Sequence, residues 1–520
     1  MGATAVACAA PGGSRRALAM GIRANVGRAI LASALLFRCG LSAETVVAPE
    51  DWRAWPLAPK GKKAPPTNTI DPASVPAVAA FPGAEGHGAL SIGGRGGRVI
   101  KVTTLKPTGP GSLDEALRAK GPRIVTFDVS GVIRGDFVVA DGRIYVAGQT
   151  APGAGITIEG NLYTRPPRVN KKKTMMHDVT LRFLRLRLRP VPPKSTGDLD
   201  GLRLYRVDRG IVDHVSVAWA VDEGGASPYS TNVTWQWCSI EESATVGHKK
   251  GSRHNYALKG ADYPYGFIHH NLMANNYRRC PSGTAHVYNN VAYNFEKGFL
   301  HDAAPPPPDL HYASNLVGNY YKRGPNAELI LPMRLQVNTA YWCVDNYIHG
   351  VGLIRDPWEE SHKHPGLAAE VKGKRLARPR PYPYFPVTIQ PAERACELVL
   401  AHAGCLPRDR VTRRTVADVR NGTGAWGRQG PAEPTDEWFL DGLERAAPPH
   451  DADKDGIPDE WERAHGLTWF DPVDASRIVP RGASDDDRHA GYTFIEYYLN
   501  ELADRLVQRA VKEAGVGLGP

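Results

Sequence analysis

From about Phe81 to Asn346 the apolar and polar positions alternate in short runs, with almost no helical periodicity. Such runs predict strands. They include Arg98 to Val102, Ile124 to Phe127, Ile156 to Ile158, Val179 to Leu188 and Asn232 to Trp237. Asp213 to Glu223 reads as a further strand that delivers two adjacent carboxylates, Asp222 and Glu223, at its end. His269 to Pro281 reads as another, ending in Arg278 and Arg279. Adjacent carboxylates are costly unless something cationic sits on them. Carboxylates on one strand and arginines on a later one predict a site for a metal and an acidic ligand.

Asparagine recurs near strand ends, at Asn271, Asn290, Asn315, Asn319 and Asn346. The intervals are irregular and of the order of one supersecondary repeat. Propellers, sandwiches and parallel β-helices all give many short strands. The asparagines favour the β-helix, where equivalent turns stack and Asn side chains satisfy buried backbone groups. The ordinary turn preference of Asn is the competing explanation. Pro305 to Pro308 reads as an exposed loop. Two helices are expected later. Pro391 to Gly404 has Leu398 and Val399 on one face, and Thr493 to about Lys512 opens with Thr493 and Glu496 in capping-box spacing.

The chain has 520 residues and a net charge of +10. That length suffices for more than one domain, and the basic balance favours an acidic partner. Nucleic acid is disfavoured, because no binding motif accompanies the charge. The densest basic run is Lys171 to Lys173, then Arg182, Arg185, Arg187 and Arg189. It reads either as a solvated strand face or as a substrate-attracting one. No apolar run is long enough to span a membrane. Residues 1–43 contain an export-signal pattern, with Arg23 and Arg28 ahead of the apolar run Ala29 to Phe37, and Arg15-Arg16 as a weak twin-arginine alternative. Residues 44–78, rich in Pro, Ala and Lys, read as a linker. Of the seven cysteines, Cys8 and Cys39 would leave with the signal, and the other five are no disulfide framework. A secreted monomer is expected.

Asp451 to Glu462 fits the register of a calcium-binding EF-hand loop. Asp451, Asp453, Asp455 and Asp459 offer side-chain oxygens, directly or through water. Ile457 offers its carbonyl, Gly456 permits the turn, and Glu462 closes the loop bidentately. Asp485, Asp487, His489 and Glu496 repeat the spacing in degenerate form. A small helical calcium-binding module is therefore expected over residues 435–513, after a β-helical domain spanning 79–430 with a helical extension from about 391.

Several segments resemble the pectate lyases of polysaccharide lyase family 1. They are Phe81 to Gly86, Gly93 to Gly97, Gly109 to Leu113, Asp128 to Gly131, Gly148 to Gly153, Asp213-His214 and His269 to Asn271, in family order. The resemblance implies an all-β fold, a right-handed parallel β-helix. It also implies Ca²⁺-assisted β-elimination on polygalacturonate. In a β-helix, outward residues of successive coils align at about 4.8 Å spacing. Asp198 and Asp200, then Asp222 and Glu223, then Arg279 are thus expected on one face. Arg279, in Arg279-Cys280-Pro281, matches the family's catalytic base. Asp200 matches a calcium ligand, as does Asp222 or Glu223, and Asp198 is a weaker match. Arg278 and Lys259 are candidates for contact with substrate. Asp213 matches an Asp-His pair that is often structural. The expected appended module resembles the EF-hand or dockerin-like calcium modules of secreted glycan enzymes.

Two positions depart from the family pattern. Ala226 or Ser227 stands near a usual carboxylate, and Ser282 to Thr284 replaces a usual second arginine. Two alternatives stay open, the second of them because of these departures, while the arginine pattern argues against the first. One is a glycoside hydrolase using Asp198, Asp200, Asp222 and Glu223 as an acid/base set. The other is a non-catalytic β-helix that binds acidic glycans.

Overall fold

The protein's structure, a computed structural model, describes residues 76–517 apart from 191–196, 198, 262–265, 284–285, 297–299, 302–311, 328–332, 336–338, 364–370, 380–384 and 484–486. The signal segment, almost all of the linker, the Pro305 to Pro308 loop, Asp198 and Asp485 lie outside these residues.

The short strands wind into three parallel sheets. The first sheet runs from Arg98–Val102 through Arg123–Phe127, Ile144–Ala147, Met176–Arg182, Val207–Asp213, Thr231–Gln236 and Gly266–His269, and continues to Lys374–Arg375. The second runs from Gly131–Arg134 to Gly352–Ile354, with only its last pair antiparallel. The third holds Phe137–Val139, Leu162–Thr164, Leu202–Arg203, Glu223–Ala226 and Tyr256–Lys259. The chain visits the sheets in turn, and each circuit is one coil of a right-handed parallel β-helix. One ladder of side chains shows why it holds. Val125, Val146, Leu181, Val212, Trp235, Ile268, Val287, Leu316 and Cys343 are successive register partners, and all are buried in one core.

Corners between the first and second sheets require a left-handed residue. Phe183, His214, Trp237, His270, Asn289 and Asp345 occupy equivalent corners with φ between 51° and 56°. That conformation costs on the order of 1–2 kcal/mol for an L-residue. Asparagines one position further on offset it. Asn290 accepts at Oδ1 from both the backbone N and Nδ2 of Asn271, at 3.0 Å each. Asn319 receives the same pair from Asn290, and Asn346 from Asn319. Asn315 stands apart from this ladder, within the strand Tyr312–Val317, where its Nδ2 donates to Tyr288 Oη at 2.9 Å. The corners also correct three strand boundaries. Val179 to Leu188 breaks at Phe183, Asp213 to Glu223 breaks at His214 and Trp219, and His269 to Pro281 breaks at His270 and Asn275.

Helices Ala392–His402 and Arg410–Asn421 cover the outside of the coils. Burial corrects the reading of the basic run at three positions, while Lys171, Lys173 and Arg189 are exposed. Arg182, Arg185 and Arg187 are buried, neither solvated nor facing a substrate. Arg182 donates to its register partner Asp213 at 2.7 Å, Arg185 to the carbonyls of Ala154 and Pro407, and Arg187 bidentately to Asp409 at 2.8 and 2.9 Å. Cys238, Cys280, Cys343, Cys396 and Cys405 are buried free thiols.

The segment Asp451 to Glu462 and helix Phe494–Glu513 pack on the outer face of the first sheet. There Ile457, Trp461, Phe494 and Ile495 share a core with Ile124 and Tyr145. Thr493 and Glu496 form the expected capping box.

Candidate functional site

The third sheet assembles a polar cluster from separate coils. Val221 and Asp222 both donate backbone N–H groups to the Leu199 carbonyl, at 3.0 and 3.2 Å, which sets Asp200 beside the next coil. Asp200 Oδ1 then accepts from the Glu223 N–H at 3.3 Å. Asp200, Asp222 and Glu223 each offer one carboxylate oxygen, all within 4.8 Å of one another. Asp200 and Glu223 are buried, and Asp222 is half-buried. Three oxygen donors with no sulfur or nitrogen among them suit a hard cation such as Ca²⁺.

The following coils complete the cluster. Tyr256 is the register partner of Glu223, and a bridge links it to Arg278. Arg279, with φ at 55°, sends its guanidinium 4.2 Å over the Tyr256 ring into an ion pair with Glu223. Burial lowers the Arg279 pKa, while the Asp222 and Asp200 carboxylates oppose that shift. Sequence reasoning missed His248, which is buried with Nε2 3.8 Å from Asp222 Oδ2 and stacks on His254 at 3.6 Å. It also missed Arg203, whose Nε lies 3.4 Å from Asp200 Oδ2. Neither belongs to a recognisable local motif.

The other expected residues lie nearby or elsewhere. Lys259 is on the same sheet, where Arg203, Ala226, Lys259 and Ser282 are successive register partners. Of the two candidates for the departure from the family pattern, Ala226 lies in this row, and Ser227 accepts from Trp235 Nε1 at 2.8 Å. Arg278 is committed to Glu296 at 2.6 Å and lies over the Tyr277 ring. Asp213, on the first sheet, is paired with Arg182.

A second acidic cluster sits at the loop Asp451 to Glu462. Oxygens of Asp451, Asp453 and Asp455 converge, and oxygens of Asp455, Glu462 and Asp474 converge beside them, each set within 4.8 Å. Asp453 Oδ2, Asp455 Oδ2, both Glu462 oxygens and Asp474 Oδ1 are buried with no hydrogen-bond partner. Burial and the neighbouring carboxylates push Glu462 up to about 8 and Asp455 up to about 7. Orphaned carboxylate oxygens facing one another fit a cation and little else. Asp474 was not legible in the loop motif, which ends twelve residues earlier. Asp459 instead ties the loop together, accepting from the Ala452 N–H at 2.8 Å and pairing with His450 at 3.0 Å. Ile457 is buried in the shared core. The loop is pinned to the β-helix by Lys101, whose Nζ lies 2.5 Å from Asp451 Oδ2. In the degenerate repeat, Glu496 pairs with Arg95 and Asp487 accepts from the Gly482 N–H, so these described residues form no acidic cluster there.

No protein-family model matches the chain. Among curated proteins, it is 32% identical over 445 residues to Probable pectate lyase C of Aspergillus terreus, covering 82% of this chain and 95% of that protein. Probable pectate lyase C of Emericella nidulans is 30% identical over 442 residues, with 82% and 94% covered. Among solved structures, the thermostable pectate lyase PL 47 aligns over 62% of this chain and 96% of its own, at 15% identity and a TM-score of 0.41. A pectate lyase from Acidovorax avenae subsp citrulli aligns over 65% and 98%, at 12% identity and a TM-score of 0.38. The assignment therefore rests on the sequence relatives, which match nearly end to end. With its coils wound as a parallel β-helix and its arginine and carboxylates gathered on one sheet, the chain belongs to the pectate lyases and is a polysaccharide lyase.

Proposed function

We propose that the protein is a secreted lyase that cleaves polygalacturonate by Ca²⁺-assisted β-elimination at the third sheet. The observation that carries this reading is the convergence of Asp200, Asp222 and Glu223 beside the half-buried guanidinium of Arg279. Asp200, Asp222 and Glu223 would hold the cation. When bound, Ca²⁺ would supply charge neutralisation and polarisation of the uronate carboxylate next to the reacting carbon.

Arg279 is the base. The C5–H bond breaks, its proton goes to the guanidine, and its electron pair forms the C4–C5 double bond as the C4–O bond breaks. The pair of that bond stays on the departing oxygen, which takes a proton from water. Arginine holds its proton far more tightly than this task allows in water. The burial that lowers its pKa therefore supports the role, and the ion pair to Glu223 holds the side chain until substrate arrives. Tyr256 supports the guanidinium from below. The carboxylates of Asp451, Asp453, Asp455, Glu462 and Asp474 would hold a structural Ca²⁺, with Asp459 closing the loop around them. Secretion is supported by the apolar run Ala29 to Phe37 and by a substrate too large to enter a cell.

Mass spectrometry of the products tests this. Elimination gives one oligogalacturonide lighter by a water than the corresponding hydrolysis product. Saturated products alone would contradict the proposal.

A further inference from the structure

We propose that a basic, aromatic groove beside the catalytic cluster is a subsite for the carboxylates of a neighbouring stretch of polyuronate chain. This deepens the lyase reading and rests on it. The groove has a volume of about 710 Å³ and is lined by Tyr163, Arg165, Lys173, Arg203, Tyr205 and Tyr229, among others. That volume lies in the range of about 300–1,000 Å³ that encloses small organic ligands, so a few sugar rings fit.

Two contacts tie the groove to the site. Arg203 lies 3.4 Å from Asp200 Oδ2, and Tyr163 Oη donates to the Asp200 carbonyl at 3.0 Å. Tyr163 and Arg203 are register partners, and the row continues through Ala226 to Lys259. A small apolar residue thus separates two cations of that row.

The groove is also basic in its chemistry. None of its described lining residues is acidic. Two of its cations lie against a phenol ring: Lys173 is 4.7 Å from the Tyr205 centroid and Arg203 5.7 Å from it. Lys173 Nζ donates to Tyr205 Oη at 2.9 Å. Tyr229 is 47% exposed, an aromatic face open to solvent. Guanidinium groups bind carboxylates in a bidentate fork, and aromatic faces accept the apolar face of a sugar ring. An anionic saccharide meets both demands, whereas a neutral glycan uses only the rings.

The test compares wild type with Arg165→Ala/Lys173→Ala and with Tyr229→Ala, all at exposed positions. On polygalacturonate, KM is expected to rise about tenfold in the double variant, as for loss of charged contacts worth that factor, with kcat held within about twofold. The effect should shrink as oligogalacturonides shorten and on highly methyl-esterified pectin. An unchanged KM and chain-length dependence, in variants that melt like wild type, would overturn the subsite. Electrophoretic retention by polygalacturonate in an Arg279→Ala background reads the groove without catalysis. It is expected to weaken with the double substitution and to be absent on neutral galactan. Equal retention by both polymers, or retention by single-stranded RNA alone, would overturn it. If wild type yields no unsaturated product, the lyase reading fails, and retention still decides the groove.

Discussion

Arg279 reaches across the intervening coil to Glu223, over the ring of Tyr256, so that a half-buried cation and a candidate calcium ligand form one ion pair. The proposed base and the proposed cation site would therefore be coupled through a single carboxylate. Replacing Arg279 with Lys keeps a positive charge but removes the planar group lying over Tyr256. Activity should fall by about 10²–10⁴-fold, the range for loss of a general base, while binding to polygalacturonate persists. Steady-state rates and affinity electrophoresis on the same variant check this.

Asp200→Asn should shift the Ca²⁺ requirement rather than abolish the fold. Oxygen ligands in the cluster drop by one charge, so half-maximal activity is expected at a Ca²⁺ concentration about tenfold higher or more. A calcium titration of initial rates measures it. Unchanged calcium dependence would remove Asp200 from the ligand set.

Glu462 distinguishes the two proposed cation sites. Glu462→Gln should remove this site's share of the Ca²⁺-dependent rise in Tm, which for a ligand at 100 times its Kd corresponds to about 2.7 kcal/mol, and leave the share of the third-sheet cluster. Because Glu462 lies in the loop packed on the first sheet, kcat at saturating Ca²⁺ and low temperature should stay close to wild type. Differential scanning calorimetry with and without chelator reads the first, and an assay the second. Asp474→Asn should behave the same way, whereas a Tm response to Ca²⁺ equal to that of wild type in both variants would contradict the site.

Acid stability should depend on the buried corner residue His270. Burial lowers His270 to about 4, although its Nε2–H donates to Gln390. Between pH 6.5 and 4 the unfolded chain binds a proton that the native protein refuses. Stability therefore falls as pH drops through that window, by up to about 3 kcal/mol from this group. Glu85 and Glu241, both raised to about 7 chiefly by burial, act in the opposite sense. Their contribution is complete below their unfolded pKa and is lost as pH rises towards 7. They are present in both proteins, so comparing urea midpoints of wild type and His270→Gln across that window isolates the histidine. The variant should show the shallower acid loss.

Much of the architecture was legible because the β-helix writes its turns into the sequence. Asn271, Asn290, Asn319 and Asn346 announced the ladder, and Thr493 with Glu496 announced a helix start. The αL corners were not legible. A bulky Phe183 or Trp219 in that conformation breaks what alternation alone reads as one strand, since the compensating hydrogen bonds come from other coils. Arg185 and Arg187 misled for a related reason. Their partners Pro407 and Asp409 lie more than 200 positions away, and no local pattern shows that a helix will cover them. At the site, Asp222, Glu223 and Arg279 stood out by their clustering, and Asp200 only through resemblance. Arg203, His248 and Asp474 are single residues brought in by the winding of the chain. Membership of the pectate lyases sets aside the hydrolase and the non-catalytic binder as readings of the chain.

The central claim is elimination at the third sheet with Arg279 as base. Its most direct measurement is ultraviolet absorbance of polygalacturonate digests, for wild type and Arg279→Ala, with Ca²⁺ and with chelator. The account predicts absorbance from unsaturated products that rises only for wild type with Ca²⁺. Absorbance that rises equally for Arg279→Ala, or new reducing ends with no absorbance, would contradict it.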